Sequence, residues 1–528
     1  MTTPPQGGAA TAPTLKRETF SSRKLFILSA IGSAVGLGNI WRFPYVAYDN
    51  GGGAFLIPYL CALLTAGIPL LFLDYSIGHK FRGSAPLAYR RMHRAAEPLG
   101  WWQVLVCFII AIYYAVIIAW AAMYTYFSFT KAWGDKPGDF LMKDFLKVAE
   151  APTLGFDYVS GVFWPLLVTW VVVIAIMVAG VNKGISRANA VFLPLLVVMF
   201  ILLVVASLFL PGAAEGLNAF FTPNWEALGD PGVWAAAYGH IFFSLSVAFG
   251  IMITYSSYLK RKTDLTGSGM VVGFANSAFE ILAGIGVFAA LGFMAQASGG
   301  DITEVVDAGI GLAFVAFPTI VSEAPVGALL GVLFFGSLVF AGITSLISIL
   351  EVIVAAIQDK MGWPRVKSAL AVSVPVGLIS IVLFPTTTGL YLLDTFDAFV
   401  NSFGIMLGAL VAVIVVAWFL RKLPLLSRHL NRFASIKMKN VWMVLVAVVA
   451  PLALGYMLIN EFITKITTPY EDYPVWFLGV FGWGMAGALV VVAVILTFIP
   501  WSRNSKANHD PEYDAVKSAE DAEEGALR

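Results

Sequence analysis

Oxygen-bearing residues stand inside stretches of this chain that are otherwise apolar, and their spacing gives them chemistry. The first stretch runs Ser29-Ala30-Ile31-Gly32-Ser33-Ala34-Val35-Gly36-Leu37-Gly38-Asn39-Ile40-Trp41-Arg42-Phe43-Pro44. Gly32, Gly36 and Gly38 permit backbone angles that would free carbonyls from a helix, for example those of Gly32, Ala34 and Val35, and Asn39 adds a side-chain oxygen. Such oxygens can replace the water around a hard monovalent cation. The alternative use of the same small residues is close helix packing. The second stretch, His240-Ile241-Phe242-Phe243-Ser244-Leu245-Ser246-Val247-Ala248-Phe249-Gly250, offers two hydroxyls flanked by aromatic rings. Hydroxyls, freed amides and positive half-helix ends suit a carboxylate, and the rings could wall an apolar group; the alternative is serines bonded back to their own helix. Asn276 and Glu280, four apart, share a helix face. An acid deep in an apolar run is costly and is a functional candidate, the alternative being a protonated structural acid. Ala341-Gly342-Ile343-Thr344-Ser345 places adjacent hydroxyls in another such run. Arg42 with Asp394 and Asp397 could form a gate or a structural ion pair, and Arg17 with Asp359 a comparable latch at the other face. His240 has no second histidine or cysteine at ligand spacing, and no HExxH motif, paired catalytic acids or nucleophile motif stands out, which argues against an enzyme.

These residues need elements to hold them, and the composition says which. The 528 residues are 59% hydrophobic and 12% charged, more apolar than the roughly 45–50% of a soluble domain. The apolar residues come in runs of about 20 or more, enough to cross a bilayer. Twelve spans are expected near 25–48, 54–78, 101–129, 162–180, 188–210, 237–258, 270–294, 326–357, 367–384, 391–420, 441–462 and 475–500. Loops at even crossings are basic (Arg90, Arg91 and Arg94; Lys260, Arg261 and Lys262) and the opposite loops acidic or mixed (Asp301, Glu304 and Asp307), which puts both termini in the cytoplasm. The segment 303–321 reads as an outer re-entrant or capping hairpin. The chain divides into a cytoplasmic tail at 1–24, a transmembrane domain at 25–500 and an acidic, disordered tail at 501–528. Cys61 and Cys107 fall in apolar runs and read as free thiols, and a net charge of +1 gives no reason to expect nucleic acid. The two interrupted stretches are the first and sixth spans. Backbone cannot leave helical geometry in lipid unless protein or a polar cavity satisfies it, and paired breaks in two halves point to a solute site at the midplane, hence a transporter. The expected fold is all-α, with two inverted five-helix repeats, two further C-terminal helices, and helices one and six broken.

The run from Gly32 to Pro44, followed by Asn50-Gly51-Gly52-Gly53-Ala54-Phe55, resembles the neurotransmitter:sodium symporter family, in particular its bacterial amino-acid transporters with the leucine-transporter fold. This fold is itself the type example of paired broken helices. The resemblance spans about Arg17 to the twelfth span. It implies sodium-driven alternating access with two sodium sites and no organic cofactor. By position, one site would use Ala34, Asn39, Ser244 and Asn276 with the substrate carboxylate, and the second Gly32, Val35, Ala341, Thr344 and Ser345. The substrate pocket would comprise Ala34, Gly36, Leu37, Ile110, Tyr114, Phe243, Ser244, Ser246, Phe249, Ser345 and Ile349, with Tyr114 bonding the carboxylate and packing on Phe243 as a lid. Arg42 and Asp397 match an outer gate; Arg17, Phe20, Tyr258 and Asp359 match an inner one. Gly184 and Pro194 resemble a motif that lets the fifth span unwind and admit water to the second sodium.

Gly36 stands where monoamine-transporting relatives carry an aspartate, which implies an amino acid as substrate. Glu280 stands where chloride-dependent relatives have serine, so a fixed carboxylate would replace chloride and could take a proton on the return step. Ala248 stands where the leucine transporter has glycine; its methyl would enter the pocket and favour alanine, valine, leucine or methionine. His240 replaces a usual glutamine and Ser244 a threonine. The loop from 131 to 160 lacks the cysteine pair and sequons of animal members, which implies a bacterial inner-membrane protein. The partners expected are the amino acid and membrane lipid. Rival readings are a same-fold carrier of another zwitterion or an aromatic amino acid, a channel, and a non-transporting sensor. Oligomeric state is not legible in the chain.

Overall fold

A computed structural model describes residues 18–300, 302, 309–508, 510, 513, 514, 517 and 518. Among the described residues ten helices are long and apolar enough to cross a membrane: Gly53–Phe81, Arg94–Thr130, Ser160–Val178, Val181–Leu208, Leu265–Ser298, Gly327–Met361, Arg365–Leu383, Gly389–Phe419, Asn440–Asp472 and Val475–Phe498. Two further crossings are broken. The first joins Arg23–Ala34 to Leu37–Asp49 with a bend of 57°. The sixth joins Pro231–Ser244 to Ile251–Ser257 across residues 245–250. Ten continuous and two broken crossings make the expected twelve, and the breaks fall in the first and sixth.

Each break has a local cause. In the first, Val35 is extended (φ −74°, ψ 97°) and Gly36 follows at φ −123°, ψ −164°, so the helix stops and restarts within two residues. In the sixth, Ser246, Ala248 and Gly250 have φ of 52°, 64° and 89°. A left-handed conformation costs an L-residue about 1–2 kcal/mol, so neighbours must hold this segment in place. Asp74 of the second span accepts from the Ala248 amide at 2.9 Å, and Cys107 of the third donates its thiol to the Phe249 carbonyl at 3.1 Å.

The third and eighth spans pack along one another at the centre, and the first packs against the fifth, seventh and eighth. In its most apolar window the eighth span is 89% buried by protein and the eleventh only 28%. The broken crossings thus lie in an inner layer, with the eleventh among those left to face lipid.

Two connections depart from expectation. Of the segment expected as an outer hairpin, the described part, Gly309–Glu323, is helical. Its apolar face packs down, with Phe314 4.9 Å from the Tyr124 ring and Phe317 stacked on Phe334; residues 303–308 lie outside the described residues. The tail expected to be disordered is docked at its start. Trp501 Nε1 donates to Glu97 Oε1 at 2.8 Å, Lys506 Nζ lies 3.9 Å from Asp359 Oδ1, and Arg91 pairs with Asp510 at 2.6 Å. Trp501, Lys506 and Asp510 anchor this stretch, whereas most of the acidic residues that suggested disorder lie further on.

Candidate functional site

The freed backbone of the first break is satisfied by side chains from other elements. The Ser33 carbonyl accepts from Ser246 Oγ of the sixth-span break at 3.2 Å and from Ser345 Oγ of the eighth span at 3.4 Å. The Gly36 amide donates to Asn39 Oδ1 at 2.9 Å and the Leu37 amide to the Tyr114 hydroxyl at 3.3 Å. One carbonyl therefore ties both breaks to the eighth span, which is how non-helical backbone persists at this depth.

A cavity of about 480 Å³ opens beside this junction. All eleven residues expected in the substrate pocket line it: Ala34, Gly36, Leu37, Ile110, Tyr114, Phe243, Ser244, Ser246, Phe249, Ser345 and Ile349. A Cβ on Gly36 would lie 3.0 Å from Ser345 Oγ and 3.1 Å from the Tyr114 hydroxyl, so even a methyl would crowd the floor. Ala248 is not among the lining residues; its amide is turned to Asp74, and its methyl does not shape the cavity. The cavity continues past Arg42, Asp397 and Asp394 to Gly309, Tyr470 and Glu471, and so reaches toward the face opposite the termini.

Both closures expected on that side stand apart. Arg42 and Asp397 form no ion pair: Asp397 accepts from the Tyr113 hydroxyl at 2.6 Å, while the Arg42 guanidinium lies 5.1 Å above the Phe243 ring. Tyr114 does not pack on Phe243 as a lid; its hydroxyl sits on the Leu37 amide and its ring on the cavity wall. Asp394, with Tyr470 and Tyr473 donating at 2.9 and 3.0 Å, belongs to the rim.

Beneath the cavity, Asn39 Nδ2 donates to Asn276 Oδ1 and Glu280 Oε1, each at 2.9 Å, and to Ser244 Oγ at 3.3 Å. Asn276 Nδ2 donates to Ser244 Oγ, and Ser244 Oγ to Glu280 Oε1, both at 2.5 Å. His240 Nε2 lies 2.8 Å from Glu280 Oε1, and the Tyr59 hydroxyl bonds Glu280 Oε2 and, at 2.7 Å, Ser277 Oγ. Glu280 is fully buried, and these donors offset the cost of burying its charge. Asn39, Ser244, Asn276 and Glu280 thus meet in one network with His240, all five marked in the sequence; Tyr59 and Ser277, which join it, were not singled out.

The second expected group lies where the first and eighth spans touch. Ala341 and Thr344 are fully buried, and Thr344 Oγ1 donates back to the Ala341 carbonyl at 3.0 Å. A Cβ on Gly32 would stand 3.5 Å from Thr344 Cβ. The remaining members are Val35, in the first break, and Ser345, whose hydroxyl donates to the Ser33 carbonyl at 3.4 Å. Carbonyl and hydroxyl oxygens are the donors that a hard cation takes. Among the described residues no group of three or more His, Cys, Asp or Glu side chains is placed to hold a metal ion.

The terminus-bearing face is packed shut around Phe20. Its amide donates to the Tyr258 carbonyl at 3.1 Å, and its ring meets Tyr255 and Phe26, each at 5.6 Å. Tyr258 donates to Glu351 Oε1 at 2.6 Å, and Arg365 pairs with Glu351 at 2.7 Å. Asp359 accepts from the Ser84 amide at 2.8 Å. Arg17, its expected partner, lies outside the described residues. Sequence reasoning passed over Asp74 and Glu351, although each is an acid set in an apolar run, the same signal that marked Glu280.

A family model described as the sodium:neurotransmitter symporter family matches residues 17–136 and 134–504. An uncharacterized sodium-dependent transporter of Methanocaldococcus jannaschii is 41% identical over 487 residues, covering 91% of this chain and 98% of that protein. A sodium- and chloride-dependent glycine transporter 2 of Xenopus laevis is 29% identical, over 92% of this chain and 69% of its own length. Among solved structures, that of MhsT in complex with L-phenylalanine matches with a TM-score of 0.70 and 32% identity, covering 84% of this chain and all of the other.

Proposed function

The chain belongs to the sodium:neurotransmitter symporter family, and from that premise we propose that it is a Na⁺-coupled symporter of neutral, apolar amino acids working by alternating access. The observation that carries this reading is the Ser33 carbonyl, which joins both helix breaks to the eighth span beside one cavity. In this reading Ala34, Asn39, Ser244 and Asn276 hold one co-transported Na⁺ with the substrate carboxylate, and Gly32, Val35, Ala341, Thr344 and Ser345 hold the second. A ligand shared between cation and zwitterion makes each favour the other's binding, which is the thermodynamic content of coupling. On closure Tyr114 and Phe243, which stand apart in this structure, would come together over the substrate, and Arg42 would meet Asp397 above it. Arg17, Phe20, Tyr258 and Asp359 gate the other face. Both termini are cytoplasmic, in a bacterial inner membrane.

Glu280 supplies in place the negative charge that chloride would bring, so transport is chloride-independent; its contact with His240 supports a proton carried back on the return step. Ile110 and Ile349 on the wall support aliphatic substrates such as alanine, valine, leucine and methionine. A second reading, aromatic substrates, has its own support in the phenylalanine bound to MhsT. Uptake of labelled leucine and phenylalanine into proteoliposomes, under separate Na⁺ and H⁺ gradients and with chloride or gluconate, tests all of this. A Na⁺ gradient should drive uptake equally in both anions. Loss of uptake in gluconate would refute the role of Glu280, and competition by phenylalanine without leucine would select the aromatic reading.

A further inference from the structure

Asn189, in the fifth span, takes no part in the sites above, yet it is fully buried and its side-chain oxygen has no hydrogen-bond partner. Its amide nitrogen donates to the Ile185 carbonyl at 3.0 Å. That bond fixes which way the amide faces, because a carbonyl can accept only from the nitrogen end. The oxygen is left aimed at the first span: a Cβ built on Gly32 would lie 2.4 Å from Asn189 Oδ1 and 3.5 Å from Thr344 Cβ. Gly32 is therefore the position that leaves room for this oxygen, and the oxygen lies at the edge of the second group. An unpartnered buried amide oxygen is costly unless something else uses it. Three residues earlier on each of these two packed helices, Ser29 and Ser186 are also fully buried with unpartnered hydroxyls. Both helices run away from the terminus-bearing face, so the polar seam extends from Asn189 toward that face.

We propose that Asn189 belongs to the second cation site, its Oδ1 serving as a fifth-span oxygen for Na⁺ beside those of Gly32, Val35, Ala341, Thr344 and Ser345. This rests on the reading of that site given above. A ligand on the fifth span links cation occupancy to an element outside the first and eighth, so that movement of the fifth span weakens the site from one side.

The test is a titration of thermal stability of the purified full chain with NaCl, at constant ionic strength against choline chloride. Wild type, Asn189→Ala and Asn189→Leu are compared. Stabilisation of the wild type by Na⁺ tests the cation-site reading itself; if it is absent, that reading fails whatever Asn189 does. Given that stabilisation, both variants should need about tenfold more Na⁺ for half of the shift, the effect of one hydrogen-bond-sized contact, with melting in choline close to wild type. Unchanged Na⁺ midpoints would overturn the proposal. So would a lower choline baseline with an unchanged midpoint, because that is the signature of a structural residue. If neither variant folds, a wild-type structure with Na⁺ bound decides: Asn189 Oδ1 on the ion supports the assignment, and Oδ1 bonded only to protein or water overturns it.

Discussion

His429 lies outside the spans, between the tenth and eleventh, with His79 Nδ1 2.8 Å from its Nε2. Burial, with Lys80, Arg82 and Arg432 nearby, pushes its pKa from the ordinary 6.5 down to about 3. The unfolded chain therefore takes up a proton near pH 6.5 that the folded chain refuses until about pH 3. Stability is full above pH 6.5 and falls with pH through that window, at up to about 1.4 kcal/mol per unit. The melting temperature should drop between pH 6.5 and 5, and His429→Gln should flatten the drop; equal drops in the two proteins would refute the assignment. Legibility at this scale depended on where a residue's partner lies. Asn39, Ser244, Asn276 and Glu280 were found because each is polar within an apolar run. Asp74 was equally visible, but its role rests on an amide 174 residues away in a segment with left-handed backbone, and no local pattern announces that pairing. Asn189 follows Arg187 closely and reads as an ordinary interfacial polar residue until the fold brings Gly32 against it.

At the scale of elements, the breaks carry the site, and their backbone angles are testable. Gly250 has φ 89°, and a Cβ there would lie 2.9 Å from Val352 Cγ1. Gly250→Ala should cost about 1–2 kcal/mol for the left-handed conformation alone and weaken amino-acid binding, since the neighbouring Phe249 lines the cavity. Gly455 is mid-helix with nothing within 4 Å of a built Cβ, so Gly455→Ala should be neutral or stabilising by about 1 kcal/mol. Thermal melting of the two variants in detergent checks the contrast, and equal destabilisation would contradict it. The twelve crossings were readable because hydropathy and loop charge report span number directly. The helix at Gly309–Glu323 was not, because moderate hydropathy with Pro318 fits a hairpin as well as one helix capped by packing on Tyr124 and Phe334. The docked start of the tail was hidden for a similar reason: its anchors, Glu97, Asp359 and Arg91, are distant in sequence.

For the whole molecule, the two faces differ. The cavity reaches past an unpaired Arg42 and Asp397 on one side, while Phe20, Tyr258, Glu351 and Arg365 pack the other. In the proposed alternating-access cycle that asymmetry is one half, and closing one gate must precede opening the other. In the proposed symport two sodium ions, each crossing 100 mV and a tenfold gradient, would supply roughly 7 kcal/mol, a ceiling that proton return would lower. All of this depends on the oxygens at the two breaks holding cation and amino acid as mutual ligands.

The most direct measurement of that dependence is equilibrium binding of labelled leucine and phenylalanine to the purified chain across a series of Na⁺ concentrations, with K⁺ or choline as replacement. Affinity for at least one of them should rise steeply with Na⁺, collapse without it, and lose most of that dependence in Asn276→Leu. Tight binding of either that is indifferent to Na⁺, or a Na⁺ dependence untouched by loss of Asn276, would contradict the mutual ligation of cation and amino acid.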